Sequence, residues 1–302
     1  MNIFGSISER LRYLKEITDH PLNRDQPWAT AIRYLSWNLG RRLLGDIEYL
    51  VPLADHAQLV ISNHENYATL VYTQRLWDFP EMSFLLHFLR QDDLFVDIGA
   101  NVGGYVVLAS TIAGARSLAI EPIPATFQKL TRNIRVNDIA ARVDCRNLGL
   151  GAEPGELKFT RALGGLNHVA LAHEADTIPV AVATLDAVLA GRAPAMIKMD
   201  VEGYETNVLR GASQTIARPE LKALAVELNG TGTRYGFADD DVHELIVDHG
   251  FRPFAYDPQQ RKLRELADYN RTGMNTLYCR VDAEMERRLA SAPSFKVGGL
   301  LI

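Results

Sequence analysis

Carboxylates follow four predicted strands of this 302-residue chain, each at the point where an apolar run ends. They are Asp97, Glu121, Asp200 and Glu227, with Asn229 just beyond the last. Because parallel strands bring their carboxyl ends to one edge of a sheet, we expect these side chains to lie together. Carboxylates grouped in this way can bind a polar or cationic ligand, accept a proton or coordinate Mg²⁺.

The stretch "DLFVDIGANVGGY" (93–105) discriminates between nucleotide ligands. A dinucleotide fingerprint is G-x-G-x-x-G, whereas here Asp97 lies two positions before Gly99, and Gly103 follows. A carboxylate there repels a pyrophosphate but suits a cation, such as the amino acid portion and sulfonium of S-adenosylmethionine. Glu121, after the next strand, is placed to accept both hydroxyls of an adenosine ribose. The two carboxylates therefore fit an adenosine that carries positive charge.

A second stretch, "MIKMDVEGYETNVLRGA" (196–212), places charged residues on a strand and on the helix after it. Lys198 and Asp200 share one face of the strand, so we expect Lys198 to pair with a nearby carboxylate. Glu202 and Glu205 lie at the start of the helix, where the dipole favours anions. Asp200, at the end of the strand, is the residue of this stretch most suited to a functional role.

These stretches carry a family resemblance. "FVDIGANVGGY", "AIEPIPATFQKLTRNI", "VATLDAVL" and "IKMDVEGYETNVLRGA", in this order, resemble the FkbM family of S-adenosylmethionine-dependent methyltransferases. The resemblance covers about residues 77–281. It implies the α/β class I methyltransferase fold, a doubly wound, mostly parallel sheet whose antiparallel last strand "NTLYCRV" would supply. It also implies methylation of a hydroxyl, often on a sugar of a glycan, glycolipid or secondary metabolite.

The same resemblance implies roles for individual residues. The loop after the first strand would line the methionine end of the cofactor, and Glu121 would hold the ribose. Asp200 and Glu202 would border the methyl-transfer site. The cofactor-binding residues expected on this basis are Asp97, Gly99, Ala100, Asn101, Gly103, Glu121, Pro122 and Asp200.

A hydroxyl acceptor also needs a base, because it is a poor nucleophile until its proton leaves. The candidates are Asp200, Glu202, Glu205, Glu227, His168 and His173. His168 is the better of the two histidines, because Gly164 and Gly165 give its loop the freedom to close over a cofactor. We expect Asp200, Glu202 and His168 to be the catalytic residues.

A metal route is the alternative to a protein base. Asp200, Glu227 and Asn229 offer three oxygen ligands from adjacent strand ends, which suits Mg²⁺ holding the acceptor oxygen. Asn229 is neutral, however, and nothing in the spacing forces these oxygens into an octahedral face. We therefore expect S-adenosylmethionine as the cofactor and a metal-free reaction.

The elements that position these residues divide the chain into an extension (1–76) and a methyltransferase domain (77–302). Helices are predicted over 1–45, and short antiparallel strands over 47–77. The second helix carries an apolar stripe that we expect to be core rather than a membrane anchor. Its residues are Trp28, Ile32, Leu35, Leu39 and Leu43. For the extension three roles stay open: a lid, acceptor recognition or a contact in a homo-oligomer.

Strands alternate with helices from about residue 80, which indicates a parallel doubly wound sheet. One helix is predicted over 103–113 and another over 202–217. The last predicted elements are a helix at 239–249 and a β pair near 251–256 and 275–281.

Bulk composition excludes several classes of protein. The net charge of −5 and scattered basic residues argue against nucleic acid as a partner. The two cysteines, Cys145 and Cys279, are far apart in the sequence. We therefore expect them to be reduced thiols and the protein to be cytoplasmic. No apolar run approaches the ~20 residues that cross a bilayer. A nicotinamide-dependent oxidoreductase of nucleotide sugars and a non-catalytic methyltransferase-like binding protein remain as alternatives.

Overall fold

The computed structural model of the protein describes residues 7–65, 67–272 and 275–302. Its α-helices are α1 (Ile7–Asp19), α2 (Pro27–Leu43), α3 (Ala68–Gln74), α4 (Phe79–Phe88), α5 (Gly104–Val107), α6 (Pro124–Val136), α7 (Leu185–Leu189), α8 (Glu205–Arg210), α9 (Ser213–Ile216), α10 (Asp239–Asp248) and α11 (Ala283–Ala290). Within the described ranges, no helix is both long enough and apolar enough to cross a membrane.

The strands form one large sheet and three small ones. They are β1 (Glu48–Pro52), β2 (Gln58–Ser62), β3 (Leu94–Ile98), β4 (Arg116–Ile120), β5 (Val143–Arg146), β6 (Gly149–Leu150), β7 (Gly155–Thr160), β8 (Thr177–Ala183), β9 (Met196–Met199), β10 (Ala223–Glu227), β11 (Arg252–Asp257), β12 (Lys262–Glu265), β13 (Asn275–Cys279), β14 (Lys296–Val297) and β15 (Leu300–Leu301). The small sheets pair β1 with β2, β14 with β15, and β8 with both β6 and β7.

The large sheet has eight strands in the order β12–β11–β13–β10–β9–β3–β4–β5. The strands from β10 to β5 are parallel to one another, and β13 runs antiparallel between β10 and β11. This order confirms the predicted doubly wound sheet with its antiparallel last strand. The chain changes direction across the sheet between β3 and β9, which opens a crevice at the carboxyl ends of those strands.

The central strands are buried on both faces, as their continuous apolar runs predict. Phe95 and Met196 belong to one hydrophobic cluster, and Val96 and Ile197 belong to another on the opposite face. Because side chains alternate along a strand, Asp97 shares the face of Phe95. The extension packs its own core residues into the cluster on that same face.

The extension differs from its prediction at α3. The strands β1 and β2 form the expected antiparallel pair. Ala68–Gln74 is a helix, so the prediction of strand structure in this part of 47–77 is wrong. The ring of Trp37 on α2 stacks on Tyr72, with centroids 4.4 Å apart, and its indole N–H donates to Thr69 Oγ1 at 3.0 Å. This packing overrides the β propensity of the segment.

The apolar stripe of α2 is also not where the sequence predicted. Its five side chains are exposed, so the expectation that they form core is wrong. The face of α2 that packs against the protein is the opposite one, which carries the buried Thr30 and Trp37.

Two predicted helices are interrupted. The one expected over 202–217 is divided into α8 and α9 at Gly211 and Ala212, and Gly211 lies against the backbone of Gly151. A Cβ built on Gly211 would lie 2.0 Å from the Gly151 carbonyl oxygen. The one expected over 103–113 consists of α5 followed by a π-helical turn, Leu108–Ile112.

Candidate active site

A cleft of about 410 Å³ opens at the crevice between β3 and β9. Its walls include the loop after β3, the charged residues at the ends of β9 and β10, and three side chains near α3. Those three are Tyr67, Leu70 and Trp77. We call this the main cleft. A smaller hollow of about 80 Å³, the side hollow, is lined by Glu121, Pro122 and Ile123. Gly99, Asn101, Gly165 and Asp200 line both, so the two spaces adjoin.

Strand register brings the charged residues of the main cleft together. In the pairing of β3 with β9, Asp97 lies opposite Lys198. In the pairing of β10 with β13, Glu227 lies opposite Asn275. The parallel pairings of β3 with β4, β3 with β9 and β9 with β10 bring the carboxylates at the ends of these strands to one edge of the sheet, as predicted. Asn275 reaches the same edge from the antiparallel strand β13.

The loop after β3 is held in one conformation by close packing. Gly99 has a φ of 78°, and a Cβ there would lie 1.9 Å from the carbonyl oxygen of Asp200. Gly103 has a φ of 90°, and its Cβ would lie 2.6 Å from Cδ1 of Leu130. Both positions thus require glycine, because of the backbone conformation and of protein neighbours.

Glu121 fastens this loop from the end of β4. Its Oε2 accepts the backbone N–H of Asn101 at 3.0 Å, and its Oε1 accepts the N–H of Ile123 at 2.9 Å. Burial raises the pKa of Glu121 to about 7, although these two hydrogen bonds lower it. The buried Oδ1 of Asn101 makes no hydrogen bond to any residue that the structure describes. A ligand with a hydrogen-bond donor would satisfy it.

Asp97 is 3% exposed and reaches the main cleft from β3. Burial raises its pKa to about 7, while Lys198 lowers it and the charges of Asp200 and Glu121 raise it further. A cation that entered the cleft beside Asp97 would favour its ionised form.

Lys198 lies beneath the carboxylates. It is 2% exposed, with Nζ 3.4 Å from Asp200 Oδ2 and 5.7 Å from the centroid of the Tyr105 ring. This ion pair confirms the prediction that Lys198 pairs with a nearby carboxylate. Burial lowers the pKa of Lys198, but the surrounding carboxylates raise it above its usual value. They are Asp200, Asp78, Glu227 and Asp97. Lys198 is therefore an ammonium ion at physiological pH.

Asp200 and Glu227 form a hydrogen-bonded carboxyl pair with unequal proton affinities. Burial, followed by the charge of Asp200, raises the pKa of Glu227 to about 10. Burial also raises the pKa of Asp200, but Lys198 and the hydrogen bond from Glu227 outweigh this and keep it below its usual value. Glu227 therefore holds the proton and donates it to Asp200. The ionised Asp200 side chain is 40% exposed and faces both spaces.

The other predicted metal ligand, Asn229, is turned towards its own loop. Its Oδ1 accepts hydrogen bonds from the backbone N–H of Thr231, at 3.0 Å, and from the Thr231 hydroxyl. The third oxygen ligand near Asp200 and Glu227 would come from Glu202 instead. Carboxylate oxygens of these three residues lie within 4.8 Å of one another. Burial and the charge of Asp200 raise the pKa of Glu202 to about 7.

The candidate bases Glu205 and His173 line neither the main cleft nor the side hollow. Glu205 accepts the backbone N–H groups of Val201, at 3.2 Å, and Gly203, at 3.3 Å, and so fixes the turn before α8. His173 is exposed on its loop.

His168 is 8% exposed, and both of its ring nitrogens have partners. Nδ1 lies 2.9 Å from the Leu166 carbonyl oxygen, and Nε2 lies 3.1 Å from Glu174 Oε1. Both ring nitrogens therefore contact oxygen atoms of the same loop. It is the neighbouring loop residues Gly164, Gly165 and Asn167 that line the side hollow.

Sequence reasoning missed polar residues that reach the main cleft from outside the parallel strands. The Tyr105 hydroxyl donates to Asp78 Oδ2 at 2.8 Å, and the side chain of Asn275 also hydrogen-bonds to Asp78. The buried Oδ1 of Asn275 makes no hydrogen bond within the described residues. The position of Asn275 opposite Glu227 follows from the register of β13, which could have identified it.

Comparisons with known proteins agree with this geometry. The family description "Methyltransferase FkbM domain" matches residues 97–253. The hexuronic acid methyltransferase AglP of Haloferax volcanii is 30% identical over 168 residues, covering 54% of this chain and 64% of that protein. Methyltransferase 1 of Beauveria bassiana is 29% identical, covering 40% of this chain and 58% of that protein. The chain thus spans less than two thirds of either relative.

Among solved structures, the fold is similar to that of SMU.1697c, a putative methyltransferase of Streptococcus mutans in complex with SAH. The TM-score is 0.41 at 12% identity, covering 67% of this chain and 94% of that one. The family match extends over more than half of the chain and includes each of the four strand-end carboxylates. The chain therefore belongs to the FkbM methyltransferase family.

Proposed function

We propose that the protein is an S-adenosylmethionine-dependent O-methyltransferase that acts on a hydroxyl of a sugar-type acceptor. The observation that carries this proposal is the carboxyl pair of Asp200 and Glu227. It presents an ionised carboxylate at the junction of the main cleft and the side hollow. Membership of the FkbM methyltransferase family supports methyl transfer and argues against the nicotinamide-dependent alternative.

The donor half of the site, made of Asp97, the loop after β3 and Glu121, fits a cationic adenosine. The unpaired Asn101 Oδ1 and the buried carboxylate of Asp97 suit the donors and positive charge of the amino acid portion. Glu121 would hold the ribose, and the backbone at Ala100 and Pro122 would border it. When bound, S-adenosylmethionine supplies an electrophilic methyl group.

The acceptor half consists of Asp200, Glu227 and Lys198. Asp200 would accept a hydrogen bond from the acceptor hydroxyl and so align its oxygen for in-line attack. It would then take the proton as the oxygen becomes acidic on forming its new bond, so a weak base suffices. Glu227 holds Asp200 in place, and the ammonium of Lys198 offsets the charge of the cluster. We assign His168 to fastening its loop rather than to catalysis.

We propose that no metal ion takes part. The Nζ of Lys198 lies 3.4 Å from Asp200 Oδ2. A divalent ion bound by Asp200, Glu202 and Glu227 would therefore lie close to the Lys198 ammonium. Two cations at such separation repel each other strongly in a partly buried site. Lys198 thus provides the positive charge that Mg²⁺ would otherwise supply.

The extension, which we place at residues 1–76, supplies acceptor recognition in this proposal. Tyr67 and Leu70 line the main cleft, and Trp77 at the boundary adds a large ring. Aromatic faces beside carboxylates suit the apolar faces and the hydroxyls of a sugar. The relative named as a hexuronic acid methyltransferase supports a sugar acceptor.

A transfer assay with methyl-labelled S-adenosylmethionine tests the proposal. The acceptors are a panel of free sugars, hexuronic acids, glycosides and hydroxylated metabolites. We expect label in at least one sugar-type acceptor with the unmodified chain and with Asp248→Asn, an exposed carboxylate at the end of α10. Asp200→Asn should transfer little. Binding of the donor without transfer to any acceptor would favour the non-catalytic alternative.

A further inference from the structure

The stripe of α2 places five large apolar side chains on the described surface of the extension. Trp28 is 82% exposed, and the other four side chains are between 57% and 71% exposed. Leu44, just after the helix, is 59% exposed. Scattered surface leucines are normal, but a continuous apolar face on a water-soluble surface indicates an interaction site.

Helix geometry shows that the stripe is narrow and that it faces away from the rest of the protein. At 3.6 residues per turn, its five side chains fall within an arc of about 80° and extend for about 22 Å. Trp37 lies on the opposite side of the wheel and is locked against Thr69 and Tyr72. The stripe cannot turn inward without breaking that contact, so it faces outward in the folded protein.

The charge of α2 differs from that of the rest of the molecule. The helix contains Arg33, Arg41 and Arg42 and no acidic residue, whereas the whole chain carries a net charge of −5. Arg42 is exposed and lies beside the stripe on the helical wheel, next to Leu35. Within the described ranges, its side chain has no ion-pair partner. An apolar stripe with Trp and Leu, flanked by arginine, is typical of helices that lie in a membrane interface.

The charge of α2 favours an anionic bilayer over a second copy of the chain as the partner of the stripe. A second copy would bring the same basic helix, which has no acidic residue, against the stripe. A bilayer needs no surface of complementary shape, and its anionic headgroups complement the arginines.

We propose that α2 lies on the surface of an anionic lipid bilayer. Its apolar stripe would be buried at the boundary of headgroups and acyl chains, and Arg42 would face lipid phosphates. This inference is independent of the proposed enzymatic activity, because it depends only on the outer face of the extension.

Vesicle flotation of the full chain tests the proposal, with vesicles of phosphatidylglycerol and phosphatidylcholine in equal parts. The unmodified protein should float with them. Replacing Trp28, Leu35 and Leu39 together by serine should weaken binding by on the order of 100-fold or more, because each buried apolar side chain contributes substantially. Arg42→Gln should weaken it about fivefold.

A matched control replaces three exposed apolar residues outside the extension, Val136, Val281 and Leu301, by serine and should bind like the unmodified protein. In the unmodified chain, acyl-brominated lipid should quench part of the tryptophan emission, and Trp28→Phe should abolish that quenching. Failure of the unmodified chain to float, or equal flotation with pure phosphatidylcholine, would overturn the proposal. So would unchanged flotation of the triple-serine protein. If the unmodified chain forms dimers and does not bind vesicles, and the triple-serine protein is monomeric, the stripe is a self-association surface and the proposal is wrong.

Discussion

The two halves of the site hold their carboxylates by different means. In the donor half, the two oxygens of Glu121 accept backbone N–H groups of Asn101 and Ile123. In the acceptor half, Asp200 and Glu227 hydrogen-bond to each other above Lys198. The first arrangement fixes the shape of a loop, whereas the second keeps a proton on Glu227 and leaves Asp200 ionised. Substitutions in the donor half should therefore change binding, and those in the acceptor half should change chemistry.

The largest effect is expected from Asp200→Asn, which keeps the shape of the side chain but removes its charge. Because the acceptor proton then has no base, kcat should fall by roughly 10²–10⁴ while donor affinity stays nearly unchanged. Steady-state kinetics and donor titration on the same preparation separate the two quantities. A wild-type turnover rate with a verified acceptor would move the base to another residue of the cleft.

Glu121→Ala should affect binding instead. Loss of a charged hydrogen-bonding group costs about 1.5–3 kcal/mol, so donor affinity should fall by roughly tenfold to a hundredfold. With saturating donor, kcat should recover most of its wild-type value. Donor titration by calorimetry measures the first effect. An affinity equal to that of the unmodified chain would show that Glu121 supports the loop without contacting the donor.

Glu227→Gln should change how stability depends on pH. The unfolded chain ionises this carboxyl near its ordinary pKa of 4.5, whereas the folded protein keeps it protonated up to about 10. Unfolding therefore releases a proton between these values, and the free energy of unfolding falls as the pH rises, by at most about 1.4 kcal/mol per pH unit.

Denaturant unfolding at about pH 7 and pH 8 measures this slope, in a range where the cysteine and tyrosine side chains of the unfolded chain have not yet ionised appreciably. Glutamine keeps a hydrogen-bond donor towards Asp200 but cannot ionise, so its variant should show a smaller slope. Equal slopes in the two proteins would mean that Glu227 is already ionised in this pH range. The claim that it donates a proton to Asp200 would then be wrong.

The smallest effect is expected from chelation. Because Lys198 already neutralises the carboxyl cluster, EDTA should change kcat less than about twofold. Assays with and without EDTA, each followed by added Mg²⁺, provide the measurement. Loss of activity restored by Mg²⁺ would show that Asp200, Glu202 and Glu227 bind a cation despite the lysine.

The sheet and its acidic edge could be predicted because each depends on local pattern. Apolar runs ending in Asp97, Glu121, Asp200 and Glu227 locate buried parallel strands, and the geometry of a parallel sheet gathers their ends. The prediction for α3 was wrong because its structure depends on contacts between residues that are distant in sequence. The residues of α3 have β propensity, yet they form a helix because α2 packs over them through Trp37.

The apolar stripe of α2 failed for a different reason. Helical periodicity predicts that one face is apolar, but it does not say whether the protein itself covers that face. The prediction of which residues act in the site was limited in the same way, because it too depends on the folded structure. Spacing could not show that both nitrogens of His168 are occupied, or that Asn229 bonds to Thr231, since these are properties of loop conformation.

Titration calorimetry of the unmodified chain with S-adenosylmethionine, and separately with NAD, tests most directly whether the acidic edge is a site for a cationic adenosine. We predict one saturable site for S-adenosylmethionine and none for NAD. Because the pKa of Asp97 is about 7, affinity should weaken with each pH unit below 7, by up to about tenfold. In Asp97→Asn that dependence should be smaller, because only Glu121 then titrates near pH 7 beside the donor, and binding should be weak. Binding of NAD, or unchanged affinity for S-adenosylmethionine in Asp97→Asn, would contradict the assignment of the site.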